Sequence, residues 1–360
     1  MHSVPRRLRS LPLVLTVCTC LYVLFWNTHY EKPKAAIVVL LRNNELPAML
    51  DTLTIFERRF NQQFDYPYVF LNNEPFTDNF IQRMRAHLPA DRRAEFGLIP
   101  TEHWSYPPWI SQTQARLNME DMERNQVIYG GSESYRHMCR YQSGFFFRHP
   151  LLDEFEYYWR VEPSTRLLCN VIQDPFVEMR RRNAKYGFTL MLYEFMNTIP
   201  TLWETTMEYM RKVPRWKRFG MNFPLMSFFQ RFNGMHGEYN GCHFWSNFEI
   251  ASLDWLRSEE YLSYFNYLDQ AGGFFYERWG DAPVHSLAAG LFLRKDEVIW
   301  FEDIGYFHGP HGHCPADQAK YDALKCDFNV SESHTMTSGS CVPHWLEYEE
   351  KTFQFDSVGS

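Results

Sequence analysis

The sequence lacks the glycine-rich motifs of two large groups of nucleotide-binding enzymes. No G-x-G-x-x-G follows the first predicted strand, and no P-loop motif occurs anywhere in the 360 residues. These motifs bring backbone N–H groups against the phosphates of a dinucleotide or a nucleoside triphosphate. The sequence therefore supports neither a dinucleotide-dependent oxidoreductase nor a P-loop kinase.

An excess of basic charge is also missing. The formal net charge is −7, and no long block of one charge sign is present. Binding to a phosphate backbone requires a dense basic surface. We therefore do not expect nucleic acid as a partner.

A C-x-x-C pair is absent, so no zinc ribbon is predicted. Two of the eight cysteines lie in an apolar N-terminal run, and the other six are Cys139, Cys169, Cys242, Cys314, Cys326 and Cys341. Six cysteines can pair in many ways, and the sequence does not choose among them. We expect disulfides formed in an oxidising lumen.

The N-terminal segment has no small-x-small cleavage site, although it has a basic flank and an apolar run. Three arginines precede Leu11–Trp26, which is uncharged but short for a membrane span of about 17–25 residues. The alternative is a cleaved signal peptide, and we favour an uncleaved signal anchor with its basic flank in the cytosol. Asn329-Val330-Ser331 is a glycosylation acceptor consistent with a luminal position.

The body of the chain begins with a βαβ pattern. Ala35–Leu41 is a continuous apolar run, a helical pattern follows, and Tyr66–Leu71 is a second short strand. This order predicts a parallel sheet and a nucleotide-binding half. Arg42, at the tip of the first strand, is a candidate nucleotide contact, and a solvated capping arginine is the alternative.

The segment Glu156–Pro163 predicts the strand around which the site is built. Its aromatic and β-branched residues favour a buried strand, which Pro163 ends near Glu162. Ligands of open α/β sheets collect outside the carboxyl ends of the strands. Arg160 and Glu162, two residues apart on one face, would supply a cation for phosphate and a carboxylate for a hard metal.

Aromatic residues make up 18% of the sequence. This share is consistent with a well-packed core and with a cleft that stacks against a sugar or a base. In Tyr135–Tyr141 aromatic and basic residues mix, as in a pocket for a phosphorylated ligand, and a solvated helix face is the alternative. Glu249 lies among Phe, Trp and Ile, where a carboxylate is costly to bury unless it is paired or functional.

Three histidines within six residues, His308, His311 and His313, raise the possibility of zinc. The flanking Gly and Pro residues predict a loop, and the spacing is not the i, i+4 pair of a helical metalloprotease site. One histidine that joins a carboxylate and phosphate oxygens at Mn²⁺ fits the pattern better.

These residues resemble the fungal Golgi α-1,2-mannosyltransferases of glycosyltransferase family fifteen, from about Ala36 to about Cys341. The segments that carry the resemblance are Arg42–Leu46, Tyr129–Arg140, Ser143–Leu152, Tyr157–Pro163, Cys242–Ile250, Ala271–His285 and Asp303–His308. The resemblance implies a GT-A-like α/β fold with a mixed, mainly parallel sheet flanked by helices. It also implies GDP-mannose as donor, Mn²⁺ as cofactor, and retaining transfer to the 2-hydroxyl of a mannose acceptor.

The metal-binding positions follow from the resemblance. A D-x-D motif usually holds the metal in such folds, and Glu162-Pro163-Ser164 stands in its place. The family tends to have Glu-Pro there followed by a variable residue, so Ser164 is compatible with activity but leaves the metal short of ligands. His308 matches the family's manganese-binding histidine.

The resemblance also assigns residues to the donor sugar. Glu249 matches the glutamate proposed as nucleophile, Asp281 matches a carboxylate at the reaction centre, and Tyr135 matches a tyrosine near the donor sugar. Arg160 and Arg42 are expected near the phosphates. A one-face route, in which the acceptor enters beside the leaving phosphate, would need Glu249 only to hold charge or acceptor.

The predicted organisation is that of a single-pass type II Golgi membrane protein. Residues 1–10 form a cytosolic tail, 11–26 the anchor, 27–34 a short stem, 35–345 the luminal catalytic domain and 346–360 a C-terminal tail. The expected acceptor is a mannose-terminated glycan on a glycoprotein. The alternatives are a catalytically inactive luminal protein that binds mannan or a partner, and a transferase that uses another nucleotide sugar.

Overall fold

A computed structural model describes residues 31–213, 223–233 and 236–349. The chain divides into two units, Met1–Pro33 and Lys34–Ser360. The predicted anchor at 11–26 lies outside the described residues. No helix in the part that is described has the length and apolar character needed to cross a membrane.

The second unit is built on a seven-stranded sheet, with three smaller sheets beside it. The strands in chain order are β1 Ala35–Leu40, β2 Tyr68–Asn72, β3 Ala94–Leu98, β4 Tyr157–Arg160, β5 Arg166–Leu167, β6 Tyr186–Phe188, β7 Met191–Tyr193, β8 Gln230–Asn233, β9 His236–Tyr239, β10 Cys242–Phe244, β11 Glu249–Ser252, β12 Val298–Trp300, β13 Tyr306–His308 and β14 His311–His313. The large sheet has the order β12-β6-β11-β4-β1-β2-β3. Only β11 runs antiparallel to its neighbours. The predicted mixed, mainly parallel sheet is confirmed.

Helices cover both faces of this sheet. They are α1 Leu46–Phe56, α2 Gln62–Phe64, α3 Asp78–His87, α4 Gln112–Arg124, α5 Glu133–Gly144, α6 Pro175–Arg181, α7 Leu202–Lys212, α8 Phe223–Phe228, α9 Leu253–Leu256, α10 Glu259–Ala271, α11 Gly273–Tyr276, α12 Asp281–Phe292 and α13 Gln318–Ala323. Helix α12 is apolar around most of its circumference, and ten of its residues are buried. Its N-terminus carries Asp281 to the carboxyl ends of the parallel strands, where the predicted site lies.

The side chains of the central strands alternate between two cores. Ala36 and Val38 of β1 belong to one apolar cluster, whereas Ile37 and Val39 belong to the other. Because side chains of a strand point to opposite faces in turn, a strand covered on both faces must be apolar throughout. The continuous apolar run beginning at Ala35 is explained by this two-sided burial.

The apolar stretch Tyr186–Tyr193 does not form one continuous strand. The chain forms β6 in the large sheet, breaks, and continues as β7, which pairs with β10 in a separate sheet. At the break, the carbonyl of Thr189 accepts a hydrogen bond from the Trp300 indole, and that of Leu190 accepts one from the Trp245 backbone. Both backbone carbonyls therefore accept hydrogen bonds where the strand pairing ends. The apolar run can pass from one sheet to the other without leaving a buried carbonyl unpaired.

Two disulfides join the C-terminal part of the chain to the body. Cys169 bonds to Cys326, and Cys242 bonds to Cys341. The other cysteines of the described region, Cys139 and Cys314, are buried and free. The expectation of disulfides is confirmed for these four residues.

Candidate active site

The carboxyl end of β4 carries a buried ion-pair cluster. The Arg160 guanidinium donates from Nε to Oε1 of Glu162 at 2.9 Å and from Nη1 to Oδ2 of Asp281 at 2.5 Å. Ser246 also donates to that Asp281 oxygen, at 2.7 Å. The structure therefore brings together three of the predicted site residues, although Asp281 is 121 residues away from Arg160 in the sequence.

The charges of Arg160 and Asp281 are maintained by their partners. Burial opposes the charge of Arg160, but Glu162 and Asp281 outweigh it and hold the pKa of the guanidinium well above its usual range. Burial would likewise raise the pKa of Asp281, but Arg160 outweighs it and lowers the pKa below the ordinary 3.8. The cluster is a fixed charge arrangement next to the expected donor diphosphate.

His308 lies on β13, beside the open side of this cluster. Its Nδ1 is 4.0 Å from Oε2 of Glu162, the oxygen that Arg160 leaves free. The ring stacks on Trp245, with centroids 5.5 Å apart, and Nδ1 is 2.6 Å from the Asn247 amide nitrogen. Stacking and this hydrogen bond fix the orientation of the ring.

The two side chains fit a divalent metal that also binds the donor. Imidazole and carboxylate are both acceptable ligands of Mn²⁺, and phosphate oxygens can fill the remaining positions. Glu162 and His308 are 23% and 28% exposed, so an ion can reach them from solvent. Residues 31–213, 223–233 and 236–349 hold no group of three or more protein side chains placed to bind a metal. A metal held by this pair would take its remaining ligands from substrate or water.

The neighbouring histidines do not complete a zinc site. His313 is buried, with Nδ1 2.6 Å from the hydroxyl of Thr335 and Nε2 2.8 Å from the Glu302 carbonyl. The ring of His311 packs against that of His334, with centroids 4.0 Å apart. His308 is thus the member of the trio that faces the carboxylate, as predicted for a single-histidine metal site.

Glu249 begins β11 directly opposite Arg160 of β4, but it faces the interior. One carboxylate oxygen accepts a hydrogen bond from the Tyr158 hydroxyl. The other accepts one from Tyr186 and lies next to Nδ1 of His285, each at 2.6 Å. The Glu249 side chain is 1% exposed. These three contacts compensate the free-energy cost of burying its carboxylate.

His285 is the histidine partner of this buried acid. Burial opposes charge on the ring, but Glu249 outweighs it, and the pKa of His285 is raised above 6.5. The second ring nitrogen faces the carbonyl of Gln142 at 3.2 Å, so a doubly protonated ring is satisfied on both sides. Attack of Glu249 on a sugar carbon would require its carboxylate to leave these donors.

Tyr135 lies at the start of α5, and Arg42 contacts the residue before it. Arg42 donates to the hydroxyl of Ser134, the residue before Tyr135. The ring of Tyr135 is stacked between Tyr129, at a centroid distance of 4.4 Å, and the Arg278 guanidinium at 5.3 Å. Burial raises the pKa of its hydroxyl well above 10, so Tyr135 is a neutral hydrogen-bonding group.

Ser164 adopts a left-handed backbone conformation in the turn after β4, with φ of 67°. The Thr165 hydroxyl closes the turn on the Glu162 carbonyl at 2.7 Å. Such a φ is unusual for a residue with a Cβ, and strained backbone of this kind concentrates at functional sites. The turn directs Glu162 back toward Arg160 and His308.

Several residues of the site were not singled out by the sequence interpretation. Ser246 and Asn247 fall within a quoted segment, but their roles depend on contacts with Asp281 and His308. Arg278 and His285 also fall within a quoted segment, Ala271–His285, whereas Glu194 lies in none of these segments. The pattern Tyr276-Glu277-Arg278-Trp279 was a usable signal, because Arg278 is charged within an aromatic run and its side chain is 4% exposed.

A mainly parallel sheet with an acid–cation cluster and a histidine at its carboxyl ends defines a GT-A-like nucleotide-sugar transferase. A family profile described as glycolipid 2-alpha-mannosyltransferase matches residues 20–350. The chain is 49% identical over 316 residues to the glycolipid 2-alpha-mannosyltransferase of Saccharomyces cerevisiae, a match that covers 88% of this chain and 70% of that protein. It is 46% identical over 311 residues to the alpha-1,2 mannosyltransferase KTR1 of the same yeast. That match covers 86% of this chain and 77% of that protein.

Two solved structures have the same fold. Core-mannan synthase A from Aspergillus fumigatus, in a Mn/GDP form, aligns with a TM-score of 0.81 and 38% identity over 89% of this chain and 86% of that one. The mannosyltransferase Ktr4p from S. cerevisiae, in complex with GDP, aligns with a TM-score of 0.81 and 39% identity. The alignment covers 88% of this chain and 82% of that one.

This chain therefore belongs to the glycolipid 2-alpha-mannosyltransferase family. The predicted family and the GT-A-like fold are confirmed. The relatives are named as mannosyltransferases, and two solved relatives hold GDP, which supports a catalytic protein over the inactive alternative.

Proposed function

We propose that this protein transfers mannose from GDP-mannose to the 2-hydroxyl of a mannose acceptor, with retention and with Mn²⁺ as cofactor. The observation that carries the proposal is the cluster of Arg160, Glu162, Asp281 and His308 at the carboxyl end of β4. It provides a fixed cation and a metal-binding pair where a diphosphate would lie. The relatives named above support the donor and the sugar.

Arg160 acts on the leaving diphosphate. Negative charge grows on the phosphate oxygens as the bond to mannose C1 breaks, and a preorganised cation there is usually the largest catalytic contribution. Arg160 is held in place by two carboxylates and is 7% exposed, so it needs little reorganisation. A divalent ion held by His308 and Glu162 supplies further positive charge when it is bound.

Asp281 and Glu249 together stabilise the sugar cation. Asp281 reaches the reaction centre from the N-terminus of α12, and Ser246 and Arg160 fix its orientation. Both oxygens of Glu249 are occupied by donors. A positive charge developing at C1 would be stabilised by both acids.

The burial of Glu249 bears on the choice between the two retaining routes. In a double displacement a carboxylate bonds to C1, as in retaining glycosidases. Glu249 would have to give up hydrogen bonds from Tyr158, Tyr186 and His285 to do so. The arrangement favours the one-face route, in which Glu249 holds charge and the acceptor hydroxyl enters beside the leaving phosphate.

The cellular setting is part of the proposal. We infer a Golgi membrane protein with its catalytic domain in the lumen and a glycan on a glycoprotein as acceptor. The two disulfides support an oxidising compartment, because such bonds are rare in the cytosol.

The direct test is a transfer assay. The full-length protein is incubated with GDP-mannose, Mn²⁺ and methyl α-mannoside, and the products are separated and analysed for linkage and anomeric configuration. An α-1,2-linked disaccharide supports the proposal. If no product forms with GDP-mannose but product forms with another nucleotide sugar, GDP-mannose is rejected as the donor. An absence of product with every donor would support the inactive alternative.

A further inference from the structure

The loop that follows β7 exposes two large apolar side chains beside the reaction centre. Phe195 is 58% exposed and Met196 is 47% exposed. Scattered apolar residues on a surface are ordinary, but two in sequence at the mouth of a site are a candidate binding surface.

The loop is held firmly, so these side chains are presented in a defined position. The hydroxyl and the backbone N–H of Thr198 both donate to the Phe195 carbonyl, at 2.7 and 2.8 Å. The Glu194 backbone N–H donates to the Gly241 carbonyl at 2.8 Å. The fixed loop spares a ligand the entropy cost of ordering it.

Glu194 joins the loop to the segment that carries Asp281. Its Oε1 accepts from the Phe195 N–H at 2.8 Å and pairs with the Arg278 guanidinium at 3.4 Å. Its Oε2 lies 3.7 Å from the position that a Cβ would take on Gly280, the residue before Asp281. Glu194 therefore links the loop to the residue before Asp281.

Arg278 has hydrogen-bonding capacity that the protein leaves unused. Its Nε is buried and has no hydrogen-bond partner in the part of the chain that is described. Buried polar groups are normally satisfied, so an unpaired donor of this kind points to water or to a ligand hydroxyl.

An apolar platform with a carboxylate and a guanidinium at its edge suits a neutral sugar. The C–H face of a pyranose packs on an aromatic ring, and its hydroxyls both donate and accept hydrogen bonds. Phe195 and Met196 supply the platform, while Glu194 and Arg278 supply the acceptor and the donor.

We propose that Phe195, Met196, Glu194 and Arg278 form a subsite for the second mannose of the acceptor, next to the mannose that receives the transfer. This inference rests on the proposed function, because it extends the same site. The enzyme then prefers an acceptor of at least two sugars over a single mannoside. The link through Glu194 to the residue before Asp281 selects the acceptor chain over an unrelated partner as the occupant.

The test compares acceptors of two lengths. The kcat/KM for an α-linked mannobiose and for methyl α-mannoside is measured for the wild type and for Phe195→Ala. We expect the preference of the wild type for mannobiose to fall about five- to tenfold in the variant, through KM. Phe195→Tyr keeps the aromatic face and retains the preference.

Ile172→Ala is the matched control, because Ile172 is exposed to a similar degree, 56%, but contacts none of these residues. It leaves the preference unchanged. If Phe195→Ala shows the same preference as the wild type, the subsite is refuted while the transfer reaction stands. If the wild type transfers mannose to neither acceptor, the proposed function fails, and the subsite fails with it.

Discussion

The two halves of the site use the same kind of side chain in opposite settings. In the open half, Glu162 and His308 are 23% and 28% exposed. In the closed half, Glu249 and His285 are 1% and 0% exposed. Each half pairs a glutamate with a histidine, and the glutamates come from neighbouring strands. The two pairs differ in solvent access. The open pair can bind an ion from solvent, whereas both oxygens of the glutamate in the closed pair are already hydrogen-bonded within the protein.

The difference shows that the function of each glutamate depends on whether one of its carboxylate oxygens lacks a hydrogen-bond donor from the protein. Oε1 of Glu162 is bound by Arg160, and Oε2 faces His308 at 4.0 Å. Both oxygens of Glu249 are filled by protein donors. A ligand at Oε2 of Glu162 therefore displaces only solvent, whereas a ligand of Glu249 must break a hydrogen-bond network.

Arg160→Ala should have the largest effect, because Arg160 links two carboxylates, Glu162 and Asp281. It leaves Asp281 buried without its cation, which costs about 3–5 kcal/mol of unfolding free energy. Transfer should fall by at least about a hundredfold. Urea unfolding and the transfer assay measure both. Arg93→Ala is the control, since Arg93 is 48% exposed and its removal should cost about 1 kcal/mol or less. Equal losses in both variants would contradict the linking role.

Glu249→Gln should abolish mannose transfer without abolishing the binding of GDP. The amide nitrogen of Gln would face a donor of Tyr158, Tyr186 or His285, so the unfolding free energy should fall by about 1–3 kcal/mol. We expect transfer to be abolished, or reduced by about a hundredfold or more, while GDP still binds. Calorimetric titration with GDP and the transfer assay test this. Normal turnover would remove Glu249 from the mechanism.

His308→Ala should affect the metal requirement with little effect on folding. The side chain is 28% exposed, so the unfolding free energy should change by about 1 kcal/mol or less. The Mn²⁺ concentration needed for half-maximal transfer should rise by about tenfold or more. A titration of activity against Mn²⁺ checks this, and an unchanged titration would reject His308 as a ligand.

The pH dependence of stability should identify the closed pair. The folded pKa of His285 is raised above 6.5, so its contribution to stability is fully present below pH 6.5 and is lost as the pH rises through the folded value. The groups facing it are Glu249, Asp281 and Arg160. Urea unfolding from pH 6 upward should show this loss in the wild type.

Glu249→Gln should flatten the pH dependence, because it removes the charge that raises the pKa of His285. Identical pH profiles of the wild type and the variant would show that the pair is not charged. Asp281 acts with the opposite sign. Its pKa is lowered below 3.8, so its contribution is lost only in acid, as the pH falls through the folded value.

Ser164→Gly should have the smallest effect and should be stabilising. Glycine adopts the φ of 67° without the steric cost that a Cβ pays there. We expect a gain of about 0.5–1 kcal/mol in unfolding free energy, reduced in part by the greater freedom of glycine in the unfolded chain. Ser164→Val should be destabilising, since a β-branched residue is disfavoured at positive φ. Thermal unfolding of both variants measures the difference.

Local patterns predicted the elements that carry the site. The apolar run from Ala35 and the aromatic run before Pro163 both form buried strands, because a strand with two covered faces needs apolar residues at every position. The strand at Tyr186 could not be bounded in this way. Its end is set by the partner strand and by the Trp300 indole that binds Thr189, and neither is visible in the local sequence.

The sequence by itself determined the sheet, the family and the types of side chain at the site, since these follow from periodicity and from motifs that lie close together in the chain. Only the tertiary structure decided which carboxylate is open and which is closed. Glu162 and Glu249 are both glutamates at strand ends, and the packing of α12 and β13 around them sets their access to solvent. Burial depends on residues more than thirty positions away, such as His285 and His308, and local sequence carries no record of such contacts.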